Sequence, residues 1–125
     1  MKNLIIYPTV KSPEVNFQFD SGELLISGMS IPESAIDFYT PIVDWLMSYA
    51  SNPQHKTMLS LKLLYINTSS LQFLYSALKE LDAIVDPDSV IINWYYDIDD
   101  DDMKETGEDF KEAIRSEFNF IQVNL

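Results

Sequence analysis

The second half of the chain alternates β-prone runs with amphipathic helical stripes, and that alternation leaves few folds open. Met58 to Ile66 reads as a strand, with Leu59, Leu61, Leu63 and Tyr65 on one face and Ser60, Lys62, Leu64 and Ile66 on the other. The second face turns apolar toward its end, as expected for a central strand covered on both sides. A helical stripe follows at Leu71, Leu74, Tyr75, Leu78, Leu81 and Ile84 or Val85, and Asp86-Pro-Asp88 breaks it. Val90 to Tyr96 is strongly β-prone, a third helix spans roughly Asp100 to Arg115, and Phe118 to Val123 closes the pattern as a strand.

The first half supplies the remaining elements. Asn3 to Tyr7, Val15 to Phe19 and Glu23 to Ser27 are short β-like runs, with a hairpin turn signal at Asp20-Ser-Gly22. A helix lies within Glu33 to Tyr49, carrying Ala35, Tyr39, Ile42, Val43, Leu46 and Tyr49 on one stripe. Pro41 inside that stripe marks either a kink or a first turn near Thr40. The order β-β-β-α-β-α-β-α-β predicts a single α/β domain over residues 1–125. Its sheet is mixed and mostly parallel, with about three helices and an N-terminal antiparallel hairpin.

Composition narrows the function classes. The chain carries 20 acidic and 8 basic residues, a formal net charge of −12. Such a field repels a phosphate backbone and an anionic membrane surface, and it steers a basic protein partner inward. There is no cysteine, which excludes disulfides, thiolate chemistry and cysteine-held zinc and suits a reducing cytoplasm. No signal peptide and no apolar run of membrane-spanning length is expected. His55 is the lone histidine, in a polar loop, and no nucleophile elbow or phosphate-cradling glycine loop accompanies it. A conventional enzyme is therefore not expected, nor is a cofactor.

Two stretches carry candidate chemistry. The acidic run Asp97-Ile-Asp-Asp-Asp-Asp102 places Asp97, Asp99, Asp101 and Glu108 at calcium-loop spacing. Position 6, however, is Asp102 rather than glycine, and the preceding element reads as a strand. A passive calcium or small-ligand module using this run is the alternative reading. The plainer one is a helix N-terminus favoured by its dipole. Asp97, Asp99, Asp100, Asp101 and Asp102, with Tyr39 and Trp45 as exposed aromatics, are the expected partner surface.

The second stretch is Asn67-Thr68-Ser69-Ser70, four small polar residues where the Met58–Ile66 strand gives way to a helix. One such residue suffices as a helix cap. Four of them stand at the carboxyl end of a central strand, where open α/β sheets place functional sites. A phosphoryl group there would meet free N–H groups and the positive end of the helix dipole.

Three blocks, Ile26 to Leu46 ("ISGMSIPESAIDFYTPIVDWL"), Leu61 to Ser70 ("LKLLYINTSS") and Ile92 to Phe110 ("INWYYDIDDDDMKETGEDF"), resemble the SiaC-type family of bacterial regulatory phosphoproteins. That family resembles anti-sigma-factor antagonists of the STAS fold. Two positions depart from the family pattern, Ser34 in place of Asn and Glu117 in place of the Pro of a Pro-Phe pair. The resemblance implies a cytoplasmic partner-switching phosphoprotein with Thr68 as the phosphorylation site and Asn67, Ser69 and Ser70 shaping the site or capping the helix. It implies a serine/threonine kinase, a PP2C-like phosphatase, and a target such as a diguanylate cyclase that the unphosphorylated form binds and activates.

Overall fold

The computed structural model describes residues 1–124. Its elements run β1 (Leu4–Ile6), β2 (Glu14–Gln18), β3 (Glu23–Ser30), α1 (Ala35–Ser51), β4 (Thr57–Ile66), α2 (Thr68–Ile84), β5 (Val90–Asp97), α3 (Asp101–Ala113) and β6 (Glu117–Val123), with one 3-10 turn at Pro87–Ser89. The six strands form one sheet in sequence order. β1, β2 and β3 pair antiparallel, and β3 through β6 pair parallel. The element order and the mixed, mostly parallel sheet agree with the sequence reading.

Local chemistry fixes the joints. Gly22, at φ +71°, closes the β2–β3 turn, and a Cβ there would lie 2.4 Å from the Lys56 carbonyl oxygen. Positive φ and close backbone approach together call for glycine. Ser34 caps α1 by accepting from the Asp37 N–H, so the serine that departs from the family pattern performs the cap that asparagine would. α1 starts at Ala35, six residues ahead of Pro41, and runs on through the proline.

Register sorts the side chains into two faces. Phe17, Leu24, Leu59, Ile92 and Phe118 form one row across β2 to β6, and Val15, Ile26, Leu61, Trp94 and Phe120 form the next. All but the half-buried Phe120 are core residues under the helices. Each parallel neighbour is reached by the next crossover in the same direction, so right-handed connections place α1, α2 and α3 on one face. Ring contacts agree, because Trp45 of α1 meets Phe17 at 5.1 Å and Phe110 of α3 meets Trp94 at 5.0 Å.

Among the described residues no helix covers the other face. Its central row is Ile5, Asn16, Leu25, Ser60, Asn93 and Asn119. The expectation that β4 is covered on both sides is therefore corrected, with Met58 42% and Leu64 53% exposed. Leu64 and Ile66 make the outer face of β4 look like core, but helices that all cross in one direction leave none of the three to lie over it.

Two features lock the helices down. Asp82, on the buried stripe of α2, accepts from the Arg115 N–H (2.9 Å), the Arg115 Nε (3.2 Å), the Ser116 N–H (3.2 Å) and the Ser116 hydroxyl (2.7 Å). It ties α2 to the entry of β6. Burial acts to raise its pKa, but the donors from Arg115 and Ser116 together outweigh burial and hold the carboxyl below its ordinary range. Gly107 of α3 lies against the rings of Trp94 and Phe120, where an added Cβ would sit 2.6 to 2.8 Å from ring atoms.

Candidate functional site

The site is the junction between β4 and α2. β4 ends at Ile66, and Asn67 alone separates it from α2, so the chain passes from central strand to helix with no loop. The Asn67 N–H donates to the Ser30 carbonyl at 2.9 Å, pinning the junction to the end of β3. The Asn67 side chain accepts from the Ser70 N–H at 2.9 Å, and its carbonyl accepts from the Leu71 N–H. Asn67 is thus the N-cap, with φ −78° and ψ 167°, in the extended conformation this role needs.

Thr68 is the first helical residue, and it is exposed. The first N–H groups of a helix have no intrahelical acceptor and point out of its end, where the dipole is positive. An anion on the Thr68 side chain would sit among those donors. Ser69 is also exposed. Ser70 faces inward and is fully buried, and its hydroxyl has no hydrogen-bond partner within ordinary geometry. The cap belongs to Asn67 alone, and Ser70 is closed to a modifying enzyme in this fold.

Beneath the junction lies a small hydroxyl cluster. The Tyr39 and Ser30 hydroxyls are 2.6 Å apart in full burial. Burial pushes the Tyr39 phenol above its ordinary pKa, while the neighbouring hydroxyls of Ser30 and Ser70 oppose the shift. Tyr39 also stacks on Phe73 of α2 at 6.3 Å. α1, β3 and the first turn of α2 therefore meet at one tyrosine, and a hydroxyl at position 68 rides on a rigid support.

Two expected surface aromatics are corrected. Tyr39 is 0% and Trp45 9% exposed. The Trp45 indole packs on Phe17 and Tyr49, and its N–H donates to the Lys2 carbonyl at 2.8 Å. An aromatic with a polar tip can be fully sequestered when that tip finds a backbone acceptor. Neither residue offers a docking surface.

The acidic run divides by position. Asp99, Asp101 and Asp102 are exposed, whereas Asp97 and Asp100 are half-buried. The Asp100 carboxylate caps α3 by accepting from the Met103 N–H, and the Asp97 carboxylate accepts from the Asp99 N–H. Among the described residues no group of three or more acidic or histidine side chains is gathered to hold a metal ion. The run is the charged N-terminus of a helix, and the calcium alternative finds no ligand set in it.

Sequence reasoning missed Ser30, Asp82 and a furrow between α1 and α2. Asp82 carried a signal, since an acid one residue after Leu81 on a buried stripe needs a donor. The furrow had none, because it depends on how two helices are spaced.

Comparison with known proteins bears on this geometry. Residues 6–123 match the SiaC family of regulatory phosphoproteins. An uncharacterized protein of Pseudomonas aeruginosa (strain UCBPP-PA14) is 30% identical over 113 residues, covering 90% of both chains. The solved structure of SiaC of Pseudomonas aeruginosa superposes with a TM-score of 0.87 at 26% identity, over 98% of this chain and 100% of that one. A second structure holds the diguanylate cyclase SiaD with its activator SiaC from the same organism. It matches with a TM-score of 0.86 at 26% identity, over 96% of this chain and 99% of that one. The family is one of regulators rather than of enzymes, and the chain belongs to the SiaC family of regulatory phosphoproteins.

Proposed function

We propose that this chain is a cytoplasmic partner-switching regulator whose state is set by reversible phosphorylation of Thr68. A serine/threonine kinase transfers the γ-phosphoryl group of ATP to the Thr68 hydroxyl oxygen, and the hydroxyl proton leaves. A PP2C-like phosphatase hydrolyses the ester and restores the alcohol. The unphosphorylated form binds and activates a diguanylate cyclase; SiaC of Pseudomonas aeruginosa is the activator in its complex with the diguanylate cyclase SiaD.

The observation that carries this reading is the placement of Thr68, exposed on the first turn of α2 with Asn67 fixing that turn to the ends of β3 and β4. A phosphate adds about −1.5 to −2 charge and three strong acceptors. It does so on a supported surface, so it changes docking without requiring the domain to refold. The exposed acids Asp99, Asp101 and Asp102 add to the field that draws a basic partner in.

The test is binding and cyclase activation by Thr68→Ala and Thr68→Glu. The alanine variant is expected to keep both and to resist the kinase. The glutamate variant is expected to weaken both. Equal activity of the two variants would remove the switch from Thr68.

A further inference from the structure

We infer that a fork in the sheet, where β4 and β5 part, receives an extended segment of another protein. That segment pairs its backbone with the open edge of β4 and lays a Lys or Arg side chain against Asp97 and Asp100. The site lies on the sheet and does not involve Thr68.

Strand register defines the fork. β4 pairs with β5 only from the Thr57–Val90 pair to the Leu61–Trp94 pair. Beyond that point β4 continues to Ile66 on β3, and β5 continues to Asp97 on β6. From Leu63 to Ile66, therefore, β4 has a strand neighbour on one edge only, and the same holds for Tyr96 and Asp97 of β5. The cause is an extra residue in β4. Gly28 of β3 stands opposite Leu63 and Met29 opposite Tyr65, so Leu64 has no counterpart. Gly28 takes φ +119°, which glycine adopts without strain. A bulge of this kind bends its strand and can end pairing, and bulges recur beside functional sites.

A cavity of about 350 Å³ occupies the fork, and Ser27, Lys62 and Tyr95 on the face without helices line it. It stands at the carboxyl ends of parallel strands, where open α/β sheets hold their ligands.

Two features choose the occupant. The first is the wall. An unpaired strand edge presents a row of N–H and C=O groups whose natural complement is another strand. Leu63 to Ile66 span about 13 Å, enough for three or four residues of a visiting chain. Leu64 and Tyr65, 53% and 52% exposed, are placed to pack against its side chains. The second is charge. Lys62 is the one cation lining the cavity among the described residues, and its ammonium lies 4.6 Å from the centre of the Tyr95 ring. Asp97 and Asp100 line it as well, and the exposed Asp99, Asp101 and Asp102 are their neighbours in the chain. That balance attracts a basic side chain and repels an acidic or phosphorylated one.

The probe is the blocked tetrapeptide acetyl-Thr-Arg-Val-Thr-amide, titrated into the isotope-labelled full chain and followed by amide NMR shifts. A dissociation constant of about 1 mM is expected for so short a segment, with the shifts centred on residues 62–66 and 95–97. The same peptide with Glu in place of Arg, and its form N-methylated at every peptide bond, are each expected to bind about fivefold more weakly or worse. Asp97→Asn with Asp100→Asn keeps both side-chain acceptors, so the α3 cap and the fold should survive. In that chain the Arg and Glu peptides are expected to bind within about twofold of each other.

No shift at the fork with about 10 mM peptide would overturn the site. Shifts confined to Asp99, Asp101 and Asp102 would reduce the effect to surface charge and overturn it too. Undiminished binding of the N-methylated peptide would give the cavity to a small ligand rather than a strand. An unchanged preference for Arg in the double-asparagine chain would remove Asp97 and Asp100 from the recognition and contradict the chemistry assigned to them.

Discussion

At the scale of single residues, the junction separates into a hinge pin, an exposed hydroxyl and a buried one. Asn67 holds the first turn of α2 through its side chain and ties it to Ser30 through its backbone. Asn67→Ala is expected to cost about 1 kcal/mol, read as a melting shift of about 3–5 °C. Ser70→Ala is expected to change stability by less than about 1 kcal/mol, because its buried hydroxyl lies beside the Tyr39 phenol but makes no hydrogen bond of ordinary geometry. Urea titrations separate the two cases. The sequence made the polar quartet legible as a site, but it did not rank the four residues. Thr68 and Ser70 differ by two positions, a rotation of about 200° around a helix, and that rotation decides which one meets solvent. Trp45 was misread for a related reason. It is a large aromatic that sequence alone leaves without a hydrogen-bond partner, and its acceptor, the Lys2 carbonyl, lies 43 residues away in the chain.

At the scale of elements, periodicity carried most of the information. Every helix and strand follows from where a period of two yields to a period near 3.6, and capping residues sharpen the ends. Pro41 alone left a boundary open, and the Ser34 cap resolves it by starting α1 early. What periodicity does not state is which side of the sheet each helix takes. The outer face of β4 is apolar enough to pass for core, and only strand order reveals that none of the three helices covers it. Packing between elements also explains the glycine in α3. Alanine is worth about 1 kcal/mol more than glycine in a helix interior. Gly107→Ala is nevertheless expected to destabilise by about 1–2 kcal/mol, since its methyl would overlap the Trp94 and Phe120 rings. A melt above that of the parent chain would contradict this packing account.

At the scale of the whole molecule, one ionic clamp and one net charge set the response to conditions. Asp82 joins α2 to β6 while nearly buried. Asp82→Ala is expected to cost about 2–4 kcal/mol at neutral pH, because it strands the N–H groups of Arg115 and Ser116 and the Ser116 hydroxyl. The pH dependence follows from the depressed pKa of the folded carboxyl. Its stabilisation is fully present above the unfolded value of about 3.9 and is lost as pH falls through the lower folded value. The stability gap between parent and Asp82→Ala should therefore be constant near neutrality and narrow as pH falls below about 4. Denaturant melts across that range check the sign. The net charge of −12 acts on association instead. Binding of a basic partner is expected to slow as salt rises, with dissociation much less affected, in stopped-flow measurements.

The central claim is that one added anion at the head of α2 changes which partner the domain holds. The most direct measurement phosphorylates the purified chain with its kinase and ATP, maps the phosphate by mass spectrometry, and titrates the same sample against the diguanylate cyclase. The account predicts a single phosphate on Thr68 and an affinity lowered about tenfold or more. Phosphate on another residue with Thr68 unmodified, or undiminished affinity once Thr68 carries it, would contradict the account.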